Sequence, residues 1–389
     1  METVNKRSSG PELADVFRNC QQDYLSRHRL TADQHKAFRA IVTCRTSIQG
    51  SHRLICEDCD HIKTCYNSCR NRHCPKCQYV RQLLWVERLK SRLLPVRYFH
   101  VVFTVPQVLR PLFYLNQKKC YDLLFASSAE AVRKTGANPS FLGVQTGNLS
   151  VLHTWGQSLT YHPHIHMLIP AGGVDQDGME WVYSHRKFFV PVKALSSVFR
   201  GLLFSGLEKH LNNGELTLPD LERELYEDRK ALRKLLYEKN WHVYIKKTFQ
   251  GAGQVVSYLG RYTHRVAISN SRIQEVDKTS VKFRYKDYRT NRIGLMELST
   301  TEFIRRFLQH ILPTGFYKIR YYGILSPATS SRIDCFALLK SRKKSRSTLD
   351  IVPTNCWWVF WEKKCSDAPV AEKEGWFMWC QAYIRTVLK

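Results

Sequence analysis

Two histidines at alternate positions are the first sign of chemistry in this chain. His164 and His166 flank Ile165 in the segment 161–170, whose apolar end predicts a buried strand. Successive side chains of a strand point to opposite faces, so both imidazoles would share one face. Two imidazoles side by side on a rigid strand are suited to bind one metal ion. The alternative interpretation is a pair of hydrogen-bonded structural histidines at a hairpin rim.

A tyrosine pair later in the chain could supply a nucleophile. Tyr258 and Tyr262 lie four residues apart in a segment, 254–265, that we predict to be helical. At that spacing both phenols would lie on one helix face. An isolated pair of this kind would be one core and one surface tyrosine. Here the pair follows a metal-type histidine pair in a very basic chain, which favours a functional interpretation.

The chain has 13 cysteines, and their spacing indicates zinc. Two Cys-x-x-Cys knuckles predict one tetrahedral, closed and therefore structural zinc site. Further ligand-type residues in the same segment could form a second site, or they could be spare thiols and surface histidines. The first predicted set is Cys56, Cys59, Cys74 and Cys77; the possible second set is Cys44, His52, Cys69 and His73.

The charge balance predicts a polyanionic partner. Lys and Arg number 60 against 33 Asp and Glu, a formal net charge of +27. Nucleic acid is the first candidate, and an anionic membrane surface or a ribosomal location are alternatives. No segment resembles a signal peptide, a membrane span or a phosphate-binding loop. We therefore expect a cytoplasmic, nucleoid-associated protein with no membrane and no nucleotide cofactor.

The elements that must position these residues form an α+β pattern. Thr31 and Gln34 have the spacing of a capping box at the start of a helix. Strands and helices alternate irregularly after residue 96, which favours a sheet domain without regular βαβ units. The predicted elements include strands at 98–105, 149–155 and 266–268 and a helix at 221–239. We predict a helical and zinc-binding domain over 1–95 and a catalytic domain over 96–325, with a helical insertion at about 192–240. The remaining residues, 326–389, form a basic, Trp-rich tail.

Several motifs in one order resemble the HUH nucleases, whose name abbreviates His-hydrophobe-His, and more closely the rolling-circle transposases of the insertion-sequence-91 family. The resemblance covers roughly residues 30–325. It rests on Cys44-Arg45-Thr46, Tyr66-Asn67-Ser68-Cys69, Arg72-His73-Cys74-Pro75-Lys76-Cys77-Gln78, Tyr161-His162-Pro163-His164-Ile165-His166, Tyr258-Leu259-Gly260-Arg261-Tyr262-Thr263-His264-Arg265, Phe283-Arg284-Tyr285-Lys286-Asp287-Tyr288 and Phe303-Ile304-Arg305-Arg306-Phe307.

The resemblance implies a fold, a reaction and a substrate. The expected fold is a ferredoxin-like or RRM-like antiparallel sheet, preceded by a zinc-ribbon-like domain. The expected reaction is attack by Tyr258 or Tyr262 on single-stranded DNA at the transposon ends, giving a 5′-phosphotyrosine. Mg²⁺ or Mn²⁺ would be held by His164, His166 and a third ligand, for which Gln157 is chosen ahead of His162 and Gln254.

DNA contacts are expected from two further segments. The resemblance suggests phosphate contacts from Arg261, His264 and Arg265. Arg284 and Lys286 alternate with Tyr285 and precede Tyr288, which suits phosphate pairing combined with base stacking.

One departure and three rivals remain. Family members often end in a further Cys-x-x-Cys element, and Cys356 and Cys365 are too widely spaced to form one. The rivals are another HUH enzyme, such as a replication initiator or relaxase; a non-catalytic zinc-containing DNA-binding regulator; and a transposase built on three carboxylates, for which no cluster is visible.

Overall fold

The computed structural model describes residues 10–94, 96–177, 180–185, 189–238, 241–249, 260, 267–287 and 290–329. Helices and antiparallel strand pairs mix along these residues, which confirms the predicted α+β class. None of the helices in the described ranges is long and apolar enough to cross a bilayer. The helices are α1 (Leu13–Arg27), α2 (Ala32–Thr43), α3 (Pro75–Arg92), α4 (Arg110–Leu115), α5 (Gln117–Ala137), α6 (Val192–Asn212), α7 (Arg223–Glu227), α8 (Arg229–Glu238) and α9 (Thr300–Leu308).

A five-stranded antiparallel sheet carries the histidine pair on its middle strand. Its strand order is β12–β4–β5–β3–β8, so β5 lies between β4 and β3. Two small hairpins, β1–β2 and β6–β7, and a three-stranded sheet, β11–β10–β9, complete the strands described. The strands are β1 (Ser51–Ile55), β2 (Ile62–Tyr66), β3 (Tyr98–Thr104), β4 (Gly147–Trp155), β5 (Tyr161–Pro170), β6 (Gly172–Val174), β7 (Trp181–Tyr183), β8 (Val243–Phe249), β9 (Ile273–Val276), β10 (Ser280–Lys286), β11 (Ile293–Ser299) and β12 (Ile319–Gly323).

The two faces of the five-stranded sheet have different roles. Phe103 of β3 and Ile165 of β5 point into the largest core, where they meet side chains of α5 and α6. His164 and His166 lie on the opposite face, because side chains alternate along a strand. At one end of that second face, Leu149 and Leu168 pack against a cluster that includes Trp85 and Val86 of α3. The sheet therefore presents its imidazoles beside, and on the same side as, α3.

The first two helices pack against the end of the described chain. Phe17 of α1 contacts Phe38 of α2 and Phe307 of α9, with ring centroids 4.7 and 5.4 Å apart. The capping box that the sequence predicts forms between Thr31 and Gln34. This second core crosses the boundary predicted at residue 95, and the three domain ranges stay predictions.

Some predicted elements are shorter than their patterns suggested. The helix predicted over 221–239 divides into α7 and α8, because Asp228 accepts hydrogen bonds from the backbone of Lys230 and Ala231 and starts a new helix. A strand predicted at 266–268 is absent from its described part, where Ala267 adopts a left-handed φ of 55°. The predicted helix at 254–265 lies outside the described residues except for Gly260, and so does nearly all of the tail.

Candidate metal centres and DNA-cleavage site

Three histidines converge on the face of the sheet opposite the largest core. His153 of β4 and His164 and His166 of β5 each offer a ring nitrogen, and these atoms lie within 4.8 Å of one another. The Nε2 atoms of His164 and His166 are 3.1 Å apart. Two nitrogens bound to one ion at about 2.1 Å would be separated by about 3 Å. The donor set therefore fits a single metal ion.

His153 is a candidate ligand that sequence reasoning missed. The antiparallel register places it directly opposite His164, so both side chains lie on one face. Gln157, the predicted third ligand, follows in the turn after β4. Its side-chain oxygen accepts a bond from the Lys286 amide at 3.4 Å, and its carbonyl accepts one from Arg272. Strand pairing thus places His153, and not Gln157, beside the pair, and the identity of the third ligand stays a prediction.

The other ring nitrogens of the pair have defined partners. Nδ1 of His164 donates to the carbonyl of His162 at 2.6 Å, which leaves its Nε2 with a free electron pair for a metal. Nδ1 of His166 is 2.8 Å from Nε2 of His100 on β3, and the two rings stack. If His166 binds metal through Nε2, its Nδ1 must donate to His100.

Burial keeps these imidazoles neutral. It lowers the pKa of His164 to about 4, and the positive charge of Arg110 adds to that effect. Burial also lowers the pKa of His166 well below its usual value and that of His100 to about 4. Metal ligation requires neutral imidazole, so the group is ready to bind at neutral pH.

Four thiols form a second cluster beside α3. The sulfur atoms of Cys44, Cys69, Cys74 and Cys77 lie within 4.8 Å of one another. Sγ of Cys77 is 3.5 Å from that of Cys44 and 3.6 Å from that of Cys69. Tetrahedral zinc with bonds of about 2.3 Å separates its sulfurs by slightly less than 4 Å. Hydrogen bonds from neighbouring thiols, Cys69 first, lower the pKa of Cys44 to about 6.

This cluster takes two members from each predicted zinc set, so the structure groups four thiols differently from either set, and the zinc ligands stay a prediction. Cys56 and Cys59 lie in the turn of the β1–β2 hairpin, outside the thiol cluster. His52 contacts Asn67, and His73 accepts a hydrogen bond from the Leu312 amide. The Arg45 amide donates to the Asn67 carbonyl, which holds the end of α2 beside the loop that carries Cys69. The spacing of the cysteines in the sequence does not predict this long-range contact, which brings Cys44 and Cys69 into one cluster.

Comparison with known proteins gives the family of the chain. Residues 16–105 match a family described as "Transposase zinc-binding domain", and residues 147–332 match one described as "Putative transposase". The chain is 45% identical over 322 residues to "Putative transposase y4qJ" of Sinorhizobium fredii, covering 82% of this chain and 81% of the relative. It is 32% identical over 291 residues to "Transposase for insertion sequence element IS801" of Pseudomonas savastanoi pv. phaseolicola, covering 74% and 68%. The chain belongs to the insertion-sequence-91 family of transposases.

In this transposase, the two predicted nucleophiles, Tyr258 and Tyr262, lie outside the described residues, as do Arg261, His264 and Arg265. Gly260 between them is described and has helical backbone. A Cβ at Gly260 would lie 2.4 Å from Cγ2 of Val86, so any larger residue here would have to displace Val86. Val86 packs against the cluster of Leu149 and Leu168, on the face that carries the histidines. Gly260 is therefore held on the imidazole side of the sheet.

The transposase also exposes two of its predicted DNA contacts. Arg284 and Lys286 are exposed on β10, and their cross-strand partners are Leu295 and Ile293 of β11. Tyr285 points to the opposite face, where its ring lies against Gly294. Tyr288 lies outside the described residues. The two cations are thus available to phosphate, whereas Tyr285 packs within the small sheet.

Proposed function

We propose that this transposase cuts and rejoins single-stranded DNA through a covalent tyrosine intermediate, as in rolling-circle transposition. One observation carries the proposal: three imidazoles converge on one face of the sheet, and the glycine between the two tyrosines packs against α3 on that same side. A DNA-binding regulator would need neither the imidazole group nor its buried hydrogen-bonded support.

The metal would be held by His153, His164 and His166. When bound there, a divalent ion would polarise the scissile phosphate and neutralise the charge that develops on it. An all-imidazole set favours a transition ion over Mg²⁺, which prefers oxygen ligands. Of the two predicted ions, Mn²⁺ is therefore our choice over Mg²⁺.

The nucleophile would be Tyr258 or Tyr262. The phenol oxygen would form a bond to phosphorus as the bond from phosphorus to the 3′ oxygen breaks, and that oxygen would take a proton. The products would be a 5′-phosphotyrosine and a free 3′-hydroxyl. Rejoining would reverse these steps and conserve the phosphodiester energy without ATP. Two tyrosines could hold the two transposon ends in turn.

The remaining predicted residues would bind and support the DNA. Cys44, Cys69, Cys74 and Cys77 would hold one structural zinc in a reducing cytoplasm. Phosphate contacts would come from basic residues near the tyrosines and on β10. These residues are Arg261, His264, Arg265, Arg284 and Lys286.

The test is to trap the intermediate. The full chain, loaded with zinc, is incubated with labelled single-stranded transposon-end DNA and Mn²⁺, then run on a denaturing gel. We expect a covalent protein–DNA adduct that survives either single Tyr→Phe change. It should disappear in Tyr258→Phe/Tyr262→Phe and in His164→Ala/His166→Ala.

The controls separate the rivals. An adduct that persists in the double tyrosine variant would refute the proposed nucleophiles. Tight DNA binding by the unaltered chain with no adduct would favour the non-catalytic regulator. Cleavage that requires a plasmid origin rather than transposon ends would favour a replication initiator or relaxase.

A further inference from the structure

One edge of the imidazole-bearing face has a side-chain pattern with no role in the structure described so far. Along β8 and the two residues before it, Trp241 and Val243 are buried in the largest core. His242, Tyr244 and Lys246 alternate with them and are exposed. Tyr244 is 60% exposed, although it carries a large ring on a strand of the central sheet. Packing therefore explains one face of β8 and leaves the other face unexplained.

The strand register places this exposed strip in line with the candidate metal site. Val102 of β3 pairs with Tyr244 on one side and with His166 on the other. Side chains of directly paired residues lie on the same face, so the Tyr244 phenol and the His166 imidazole project in one direction. Neighbouring strands are about 4.8 Å apart, which puts the backbones of Tyr244 and His166 about 10 Å apart.

Only small side chains lie on the sheet surface between Tyr244 and His166. On β3, Val102 and Thr104 lie on this face between the two sites, beyond His100, and both are small and partly exposed. At the other end of the same face, Leu149 and Leu168 lie beneath α3. The accessible part of the face thus extends from the imidazoles across β3 to Tyr244.

A second observation concerns a cation whose charge acts on the histidines of β5. Arg110, at the start of α4, is partly buried, and its Nε finds no hydrogen-bond partner among the described residues. No described carboxylate forms an ion pair with it, although its charge acts on both His162 and His164. A partly desolvated cation without a counter-charge is unfavourable. A phosphate beside the imidazoles would supply that counter-charge.

We propose that one strand of DNA crosses the imidazole-bearing face between two anchors, with a base stacked on Tyr244 and a phosphate bound by Arg110. This inference rests on the proposed function, since it concerns the binding of the same single-stranded DNA. The chemistry of Tyr244 and Arg110 indicates which ligand binds there. An exposed phenol ring flanked by Lys246 suits an unstacked base with its phosphate, and every base has a face to stack. Duplex DNA keeps its bases stacked and has none to offer.

The two anchors predict different signatures in a binding experiment. The protein is the full zinc-loaded chain carrying Tyr258→Phe/Tyr262→Phe, which does not cleave, and the probe is a fluorescent single-stranded oligonucleotide followed by anisotropy. Tyr244→Ala should weaken binding about tenfold at each salt concentration, because stacking carries no counterion release. Arg110→Gln should weaken binding and should also reduce the magnitude of the slope of log K against log salt by about 0.7, because one phosphate contact is lost.

Matched controls keep the inference open to refutation. Tyr183→Ala removes an equally exposed tyrosine, 59% exposed, on the separate β6–β7 hairpin and should change nothing. Arg133→Gln removes an exposed arginine paired with Glu130 and should leave the slope unchanged. Tyr244→Phe keeps the ring and should bind normally, which separates stacking from loss of the hydroxyl.

The outcomes distinguish this inference from the function on which it rests. If Tyr244→Ala binds like its parent, or weakens duplex binding as much as single-strand binding, the stacking site is refuted. If Arg110→Gln keeps the parental slope, the phosphate anchor is refuted. In both cases an adduct formed by the unaltered chain would leave the proposed reaction standing. Failure of the unaltered chain to form any adduct, with the anchors behaving as expected, would refute the reaction alone.

Discussion

The thiol cluster and the imidazole cluster are built in opposite ways. The thiols come from a helix end, a loop and the first turn of α3, and Cys44, Cys74 and Cys77 are buried. The imidazoles come from two paired strands, and His164 and His166 stay partly exposed on an accessible sheet face. Four thiolates saturate a tetrahedral ion, whereas three imidazoles leave positions for a substrate.

The contacts around each cluster agree with that difference. Next to the thiols, Arg72 donates to the carbonyls of Leu312, Pro313 and Phe316, which ties the cluster to a distant loop. Next to the imidazoles, His100 and the His162 carbonyl orient single ring nitrogens. The first arrangement holds segments together, and the second fixes the direction of ligand atoms. We infer that one site stabilises the fold and the other performs chemistry.

The largest expected effect is on the thiol side. Cys74→Ser should abolish stoichiometric zinc and unfold the region around α3, because structural zinc contributes on the order of 10 kcal/mol in small zinc domains. Zinc content by mass spectrometry and the midpoint of thermal unfolding by circular dichroism measure the two effects.

Cys59→Ser is the matched control for the thiol cluster. It changes a cysteine of the same segment that lies outside the cluster, so zinc content and thermal midpoint should stay close to those of the parent. The comparison fails if Cys59→Ser loses zinc as fully as Cys74→Ser while Cys44→Ser keeps it. That result would restore the grouping expected from the two Cys-x-x-Cys knuckles.

The second effect should fall on activity and leave the fold intact. His153→Ala removes one of three ligands, and we expect adduct formation in the Mn²⁺ assay to fall at least about 100-fold. A loss of that size is expected because a bound metal stabilises the transition state by several kcal/mol. Zinc content and the thermal midpoint should hardly change. Gln157→Ala is the control and should keep most of the activity. If Gln157→Ala instead loses more activity than His153→Ala, Gln157 is the third metal ligand.

The sequence predicted what depends on local pattern. Short runs of β-forming and apolar residues were sufficient to predict β3, β4 and β5, and the spacing of His164 and His166 was sufficient to predict that they share one face. Thr31 and Gln34 form the predicted capping box for the same reason. Each of these features is set within a few residues, where the periodicity of a strand or helix applies.

What the sequence missed depends on contacts between distant residues. His153 becomes a candidate ligand only through the β4–β5 register, which includes an irregularity between His153 and Trp155. Cys44 and Cys69 cluster with Cys74 and Cys77 only because the end of α2 contacts the loop after β2. His100 belongs to yet another strand and carries no motif. Spacing within a motif cannot reveal such partners, because they are chosen by tertiary packing.

The smallest effect should come from His100, which supports a ligand without being in the three-imidazole group. Its Nε2 lies 2.8 Å from Nδ1 of His166, so it can fix the tautomer in which His166 presents Nε2 to a metal. Loss of such a partner typically costs 10- to 100-fold in metal affinity. We expect His100→Ala to weaken Mn²⁺ binding within that range, measured by electron paramagnetic resonance titration of free Mn²⁺. His100→Gln keeps an acceptor oxygen and should recover most of the affinity, while Thr104→Val, on the same strand and face, should bind Mn²⁺ normally. If His100→Ala binds Mn²⁺ as the parent does, the His100 contact serves packing alone, and the orienting role that separates the two clusters would rest on the His162 carbonyl.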